Sequence, residues 1–341
     1  DSLCAASANG TDTVRLYSRG YSGQFIVKLD SLDARPEEKG TTEALIRGVA
    51  SGLAGRGWKI GGFDAYLDSV VPQGAGLSSS ASIETLITSI FVHMFNQKSM
   101  SAVDVAKVSQ MAEREYFGKP CGLMDQAACA AGGLLTIDFK DEPCVRKLDV
   151  DFSGNVLLAV VETGGNHADL TNEYAAITEE MHTVASMMGE ERLREVCEQK
   201  FYSEIKGLQK KAGDRAVLRA MHFFSENKRV LDASQALERG DYGKFFECID
   251  GSGDSSWKLL QNCYVPGSTS QQICLAVALA KRLIGDEGAC RVHGGGFGGT
   301  ILAFVPAEKA SVFSEGMSEV FGENSVHYLS VRQTPAGHLD I

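Results

Sequence analysis

No stretch of this 341-residue chain approaches the ~18 consecutive apolar residues of a membrane-spanning helix, so no membrane partner is expected. The start shows no signal-peptide pattern. No run of lysine and arginine is long enough to cover a duplex, and the net charge is -11, which argues against nucleic acid as a partner. An acidic chain can still bind ATP, because local N–H groups and a metal do that work. The nine cysteines are odd in number and scattered, with no Cys-x-x-Cys pair. That pattern predicts a reduced, cytoplasmic enzyme, not a disulfide framework or a zinc site. Internal repeats and low-complexity tracts are absent as well.

What is present reads as an ordinary globular protein, 44% hydrophobic and 23% charged. The length suggests roughly two domains. A boundary near residues 151–154 would divide them into 1–152 and 153–341. The chain is organised around residues 71–82, Val-Pro-Gln-Gly-Ala-Gly-Leu-Ser-Ser-Ser-Ala-Ser. Its two glycines let the backbone turn tightly and approach a ligand closely. Its serines stand where a helix begins, so free N–H groups and the positive end of the helix dipole face one spot. Such a junction binds anions, phosphate above all; the plainer alternative is a polar loop with an N-cap.

The surroundings suit that junction. Residues 63–71 alternate, with Phe63, Ala65 and Leu67 against Asp64, Tyr66 and Asp68, as in a half-buried strand. After the loop, Ile83, Leu86, Ile87, Ile90, Phe91 and Met94 recur at steps of three and four, the face of an apolar helix. The Walker pattern is missing, so no P-loop lysine would assist. Upstream, residues 14–17 and 24–28 read as strands and 42–53 as a helix. Downstream, Ser101 with Asp104 resembles a capping box opening a helix that runs through Tyr116 to a stop at Gly118-Lys119-Pro120. Strands are expected at 134–139, 145–150, 156–161, 290–292, 300–305 and 326–331. Helices are expected at 170–188, across most of 190–261, and at 270–283 and 307–321.

Several residues could carry chemistry. Asp125 heads a small-residue segment and reads either as an N-cap or as a general base facing a hydroxyl. Glu113 is a solvated helix residue by default, or a hard oxygen ligand for Mg2+ aided by a hydroxyl from residues 78–80. His167 reads as a loop histidine and Tyr174 as a packing residue. Gly294, Gly296 and Gly299 satisfy G-x-G-x-x-G, but a strand follows where a dinucleotide fold requires a helix. A glycine hairpin is therefore expected there.

Taken together, Pro-x-Gly-x-Gly-Leu-Ser-Ser-Ser-Ala, Gly-Leu-Met-Asp-Gln and Gly-Gly-Gly-Phe-Gly-Gly, in this order and spacing, resemble the GHMP small-molecule kinases, and among them the galactokinases. Ala112-Glu113 and Asp169…Glu173-Tyr174 are supporting matches. The resemblance implies a two-domain α+β fold, ribosomal protein S5 domain 2-like at the N-terminus and a ferredoxin-like α/β sandwich at the C-terminus. It implies phosphoryl transfer from ATP with Mg2+ to a small-molecule sugar, galactose at its anomeric hydroxyl. Kinases of N-acetylgalactosamine, arabinose or a heptose, and a catalytically inactive sugar- and ATP-binding regulator, share the pattern. Pro72, Gln73, Gly74, Ala75, Gly76, Leu77, Ser78, Ser79 and Ser80 would wrap the ATP phosphates. Ser78 and Glu113 would hold Mg2+, with Ser79 as the alternative hydroxyl. Asp125 would accept or orient the sugar proton, and Gly122 and Tyr174 would line the sugar pocket. Galactokinases also carry a first motif, Arg with Gly-Glu-His-Thr-Asp, that binds the sugar. It is missing here, and its counterpart is expected ahead of Asp1 or lost in a shortened relative. Nothing in the sequence argues against a monomer.

Overall fold

The computed structural model describes residues 1–71, 78–150, 155–164, 170–297 and 299–339. Residues 72–77, the expected boundary at 151–154, His167, Asp169 and Gly298 lie outside them. The chain clusters in two compact units, residues 1–147 with 331–341, and residues 148–330.

The first unit is a sheet with helices on one face. Strands β1 (Ser2–Ala8), β2 (Thr13–Ser18), β3 (Phe25–Lys28) and β4 (Phe63–Ser69) stand in the order β1-β4-β2-β3. β4 runs antiparallel to β1 and parallel to β2. Its alternation buries Phe63, Ala65 and Leu67. These pack with Val14, Leu16 and Val27 against α1 (Thr42–Ala54) and α2 (Ser79–Phe95), through Ile46, Val49, Leu53, Ile87 and Phe91. Burying side chains of this size is worth about 1.5–3 kcal/mol each. Thr41 caps α1, its side chain accepting from the Ala44 N–H. Fully buried Arg47 ties that helix to the chain around it, forking onto Glu38 at 2.7 Å and donating to the carbonyls of Lys28 and Ser31. Such a bidentate pair is the strong form of an ion pair.

Ser101 opens α3 (Ala102–Met111) as expected, accepting from the Asp104 N–H. The helix does not continue regularly to Tyr116, however. From Ala112 to Phe117 the turn widens to the π form and ends at Gly118, φ 85°. A helix of eight residues, α4 (Met124–Ala131), then leads to the hairpin of β5 (Leu134–Asp138) and β6 (Cys144–Leu148).

The second unit holds an antiparallel sheet in the order β10-β7-β9-β8, from β7 (Val156–Glu162), β8 (Ala289–Val292), β9 (Thr300–Pro306) and β10 (Val326–Leu329). Helices α9 (Gln272–Ile284) and α10 (Ala310–Phe321) bury Ile273, Ala280, Phe313 and Met317 with its Ala159, Ile301 and Ala303. The long helical region resolves into α5 (Thr171–Met187), α6 (Glu198–Ala212), α7 (Asp214–Glu238) and α8 (Tyr242–Ser255). β8 and β9 pair directly, Val292 opposite Ile301, so the glycine run between them joins antiparallel strands and opens no helix. That geometry excludes the dinucleotide reading of the run.

Candidate active site

In the first unit, three elements bring carboxylates and hydroxyls together. Ser78 precedes α2 with φ 56°, in the left-handed region. A non-glycine residue there marks a turn imposed by its surroundings. Its side chain does not cap the helix; it donates to Asp125 Oδ2 at 2.6 Å. Asp125 is exposed in the first turn of α4, where free backbone N–H groups favour a negative charge. Ser80 donates instead to Glu113 Oε1 at 2.7 Å. Ser78 lies ahead of the helix in the left-handed region and Ser80 on its first turn, so their hydroxyls leave the chain in different directions. Of the serines expected to serve the metal with Glu113, Ser80 is the one hydrogen-bonded to it, while Ser78 is hydrogen-bonded to Asp125.

Glu113 sits on the π turn, where the wider backbone carries its side chain inward to 2% exposure. Such turns concentrate at functional sites. Lys119 Nζ lies 3.2 Å from its Oε1, and Gln126 Nε2 donates to its Oε2 at 2.6 Å. Burial pushes this carboxyl up, but hydrogen bonds from Ser80, Cys121 and Lys119 outweigh it and hold the group below the usual carboxylate range. Glu113 is thus charged at neutral pH.

Glu84 behaves oppositely. It lies fully buried on the inner face of α2, and Gln126 Nε2 also donates to its Oε2, at 3.3 Å. Burial, and then the charge of Glu113, push it up to about 8. One amide therefore stands between a charged and a protonated carboxyl. Cys121 Sγ, 3.8 Å from Gln126 Nε2, is a thiol pushed up to about 12 by burial and by Glu113.

Mg2+ keeps several waters and takes one or two carboxylates plus substrate phosphates. The paired oxygens of Glu113 and Ser80 fit that demand. Among the described residues no group of three or more His, Cys, Asp or Glu side chains is arranged to hold a metal, so an all-protein cage is not built there.

In the second unit, Tyr174 on the first turn of α5 donates its hydroxyl to the Gly296 carbonyl at 2.8 Å. Its ring meets Phe297 edge-on at 5.2 Å, and burial pushes its phenol up. Asn262 Nδ2 donates to the Gly295 carbonyl at 3.0 Å, and Thr163 Oγ1 to the Gly299 carbonyl at 2.7 Å. Gly296 has φ 82°, and a Cβ there would stand 2.1 Å from the Asn262 carbonyl oxygen. Tyr174 therefore braces the glycine hairpin. Gly122 is exposed, with open space where a Cβ would stand.

Sequence reasoning passed over Glu84, Lys119 and the role of Gln126. Glu84 had a readable signal, a charged residue three before Ile87 and seven before Phe91 on an otherwise apolar face. Lys119 read only as part of a helix stop.

Residues 44–133 match the GHMP kinases N terminal domain. The chain is 33% identical to the galactokinase of Mannheimia succiniciproducens over 282 residues, covering 82% of this chain and 70% of that one. It is 30% identical to the galactokinase of Glaesserella parasuis over 319 residues, covering 91% and 78%. The fold is similar to that of Lactococcus lactis galactokinase complexed with galactose, with a TM-score of 0.80 at 22% identity over 98% of this chain and 86% of that one. L. major mevalonate kinase in complex with R-mevalonate matches with a TM-score of 0.60 at 15% identity over 99% and 87%.

Proposed function

The chain belongs to the galactokinase family of GHMP kinases, and from that premise we propose that it phosphorylates galactose at its anomeric hydroxyl. As a kinase it uses ATP as the phosphoryl donor. The observation that carries the site assignment is the division of labour at the head of α2, where Ser78 holds Asp125 and Ser80 holds Glu113.

Asp125 takes or orients the proton of the sugar hydroxyl. That oxygen forms a bond to the γ-phosphorus as the bond to ADP breaks, and ADP leaves. The Ser78 hydroxyl keeps the carboxylate aimed. Transfer of this kind depends chiefly on positioning and on neutralising charge. Residues 72–77 with Ser78, Ser79 and Ser80 wrap the ATP phosphates. Glu113 and Ser80 hold Mg2+, which when bound neutralises charge on the phosphate oxygens. Lys119 adds a positive charge beside Glu113. Gly122, exposed close to Asp125 in the chain, contacts the sugar. The same proposal makes the first unit, residues 1–147 with 331–341, the nucleotide-binding domain and residues 148–330 the second domain of a cytoplasmic monomer. No described helix is long and apolar enough to cross a membrane.

The test is an ADP-release assay over galactose, N-acetylgalactosamine, arabinose and a heptose, run beside Asp125→Ala. Galactose should give the highest kcat/KM, and Asp125→Ala should lose at least about 10²-fold in rate while still binding ATP. An Asp125→Ala protein with near wild-type turnover refutes the site assignment. ATP binding without ADP release on any sugar refutes the kinase reading and favours a regulator.

A further inference from the structure

We propose that Glu84 and Gln126 form a buried acid–amide bracket that positions Glu113 for the metal–nucleotide complex, which makes Glu84 a positioning residue of this site. The inference rests on the kinase reading and adds to it a residue that no part of that reading requires.

Three elements meet in the bracket: α2 supplies Glu84, the π turn Glu113, and α4 Gln126, the neighbour of Asp125. A primary amide has two N–H groups and one oxygen. Gln126 gives its N–H groups to Glu113 Oε2 at 2.6 Å and Glu84 Oε2 at 3.3 Å. Two buried oxygens are then left with no hydrogen-bond partner among the described residues, Glu84 Oε1 and Gln126 Oε1. They belong to side chains already joined to each other. A single proton on Glu84 Oε1, donated to Gln126 Oε1, satisfies both. A carboxylic acid and a primary amide then face each other through two hydrogen bonds, one in each direction.

The bracket has a consequence for Glu113. Gln126 fixes its Oε2, so Oε1 must turn to Ser80 and Lys119. Rotation of that carboxylate away from Ser80 would strand a buried N–H, which is costly. The head of α2, where the nucleotide is proposed to bind, and the helix bearing Asp125 are thereby held in register through one amide. Outer partners of this kind set the orientation of a metal-binding carboxylate.

Glutamine at position 84 can reproduce both hydrogen bonds of a neutral acid; leucine, of similar size, can make neither. The experiment compares Glu84→Gln, Glu84→Leu and wild type by calorimetry, titrating ADP with and without Mg2+, beside kcat and KM for ATP. Circular dichroism checks folding. Wild type and Glu84→Gln should show the same Mg2+-dependent gain in ADP affinity. Glu84→Leu should lose about 10-fold or more of that gain, the usual cost of removing an outer partner, with metal-free ADP affinity unchanged. If Glu84→Leu does not fold, Gln126→Met carries the test with the same expected loss. A folded Glu84→Leu or Gln126→Met with the wild-type gain overturns the proposal, as does a Glu84→Gln protein that falls with Glu84→Leu. The two readings fail separately: a wild type that releases no ADP on any sugar sinks the kinase assignment, whereas the calorimetric ratio still judges the bracket.

Discussion

Replacing Glu84 by glutamine should make the first unit more stable at neutral pH, by an amount that grows with pH. In the folded chain the Glu84 carboxyl is pushed up to about 8 from an ordinary 4.5. A group raised in this way contributes stability that is fully present below the unfolded value and lost as pH rises through the folded one. Between those limits the folded state holds a proton that the unfolded state has released, so stability falls by about 1.4 kcal/mol per pH unit. Glutamine binds no proton in either state. From pH 5 to 7 wild type should therefore lose about 2.5 kcal/mol relative to Glu84→Gln, rising to about 3.5 kcal/mol by pH 8. Subtracting the two curves cancels the titrating groups remote from Glu84. The chain has two tryptophans, Trp58 in the first unit and Trp257 in the second. Urea unfolding followed by Trp58 fluorescence, with Trp257→Phe in both proteins, reads the first unit alone and avoids treating a two-unit chain as one transition. Parallel curves, or a gap that opens in favour of wild type, would refute a protonated Glu84.

Four further outcomes follow from particular contacts. Ser80→Ala leaves buried Glu113 without one donor; it should cost about 1–3 kcal/mol and raise the Mg2+ concentration for half-maximal turnover. Ser78→Ala frees only exposed Asp125, so it should lower kcat and leave the Mg2+ requirement unchanged, which a Mg2+ titration of both variants checks. Tyr174→Phe keeps the ring contact with Phe297 but drops the hydrogen bond to Gly296, and should cost about 1 kcal/mol in the Trp257-reported transition. Gly296→Ala drives a Cβ into the Asn262 carbonyl at a left-handed backbone position and should cost well over about 2 kcal/mol by the same readout.

What could be read in advance depended on periodicity. β4 and the core face of α2 were legible because large apolar side chains recur at two and at three-to-four residues. β1 was not: Ser-Leu-Cys-Ala-Ala-Ser-Ala has one large apolar residue and lies at a sheet edge, so its strand form comes from pairing with β4. The π turn was also hidden. Residues 112–117 follow the helical pattern equally well in either form, and only the structure shows the widened turn that brings Glu113 inward. The grouping of residues 331–341 with the first unit is a tertiary fact with no local signature. It is seen where the Gly133 N–H donates to the Arg332 carbonyl and Ala336 N–H to that of Ala130.

The serine run shows where local chemistry stops informing. Three successive hydroxyls are chemically equivalent in sequence, so any could be set beside Glu113. Their roles separate only once the backbone is drawn. Ser78 lies outside the helix in the left-handed region, and Ser80 lies on its first turn, so their side chains diverge. The divergence lets one short stretch serve two carboxylates of different character, exposed Asp125 and buried Glu113. Exposure suits a group that must meet a substrate hydroxyl. Burial suits one that must stay rigid, but burial works against its charge, as burial and the charge of Glu113 do at Glu84. Glu113 remains charged because Ser80, Cys121 and Lys119 donate to it. The contrast between two glutamates sharing one amide is thus a matter of donor count, and it is the reason that mutating either should perturb the other through Gln126.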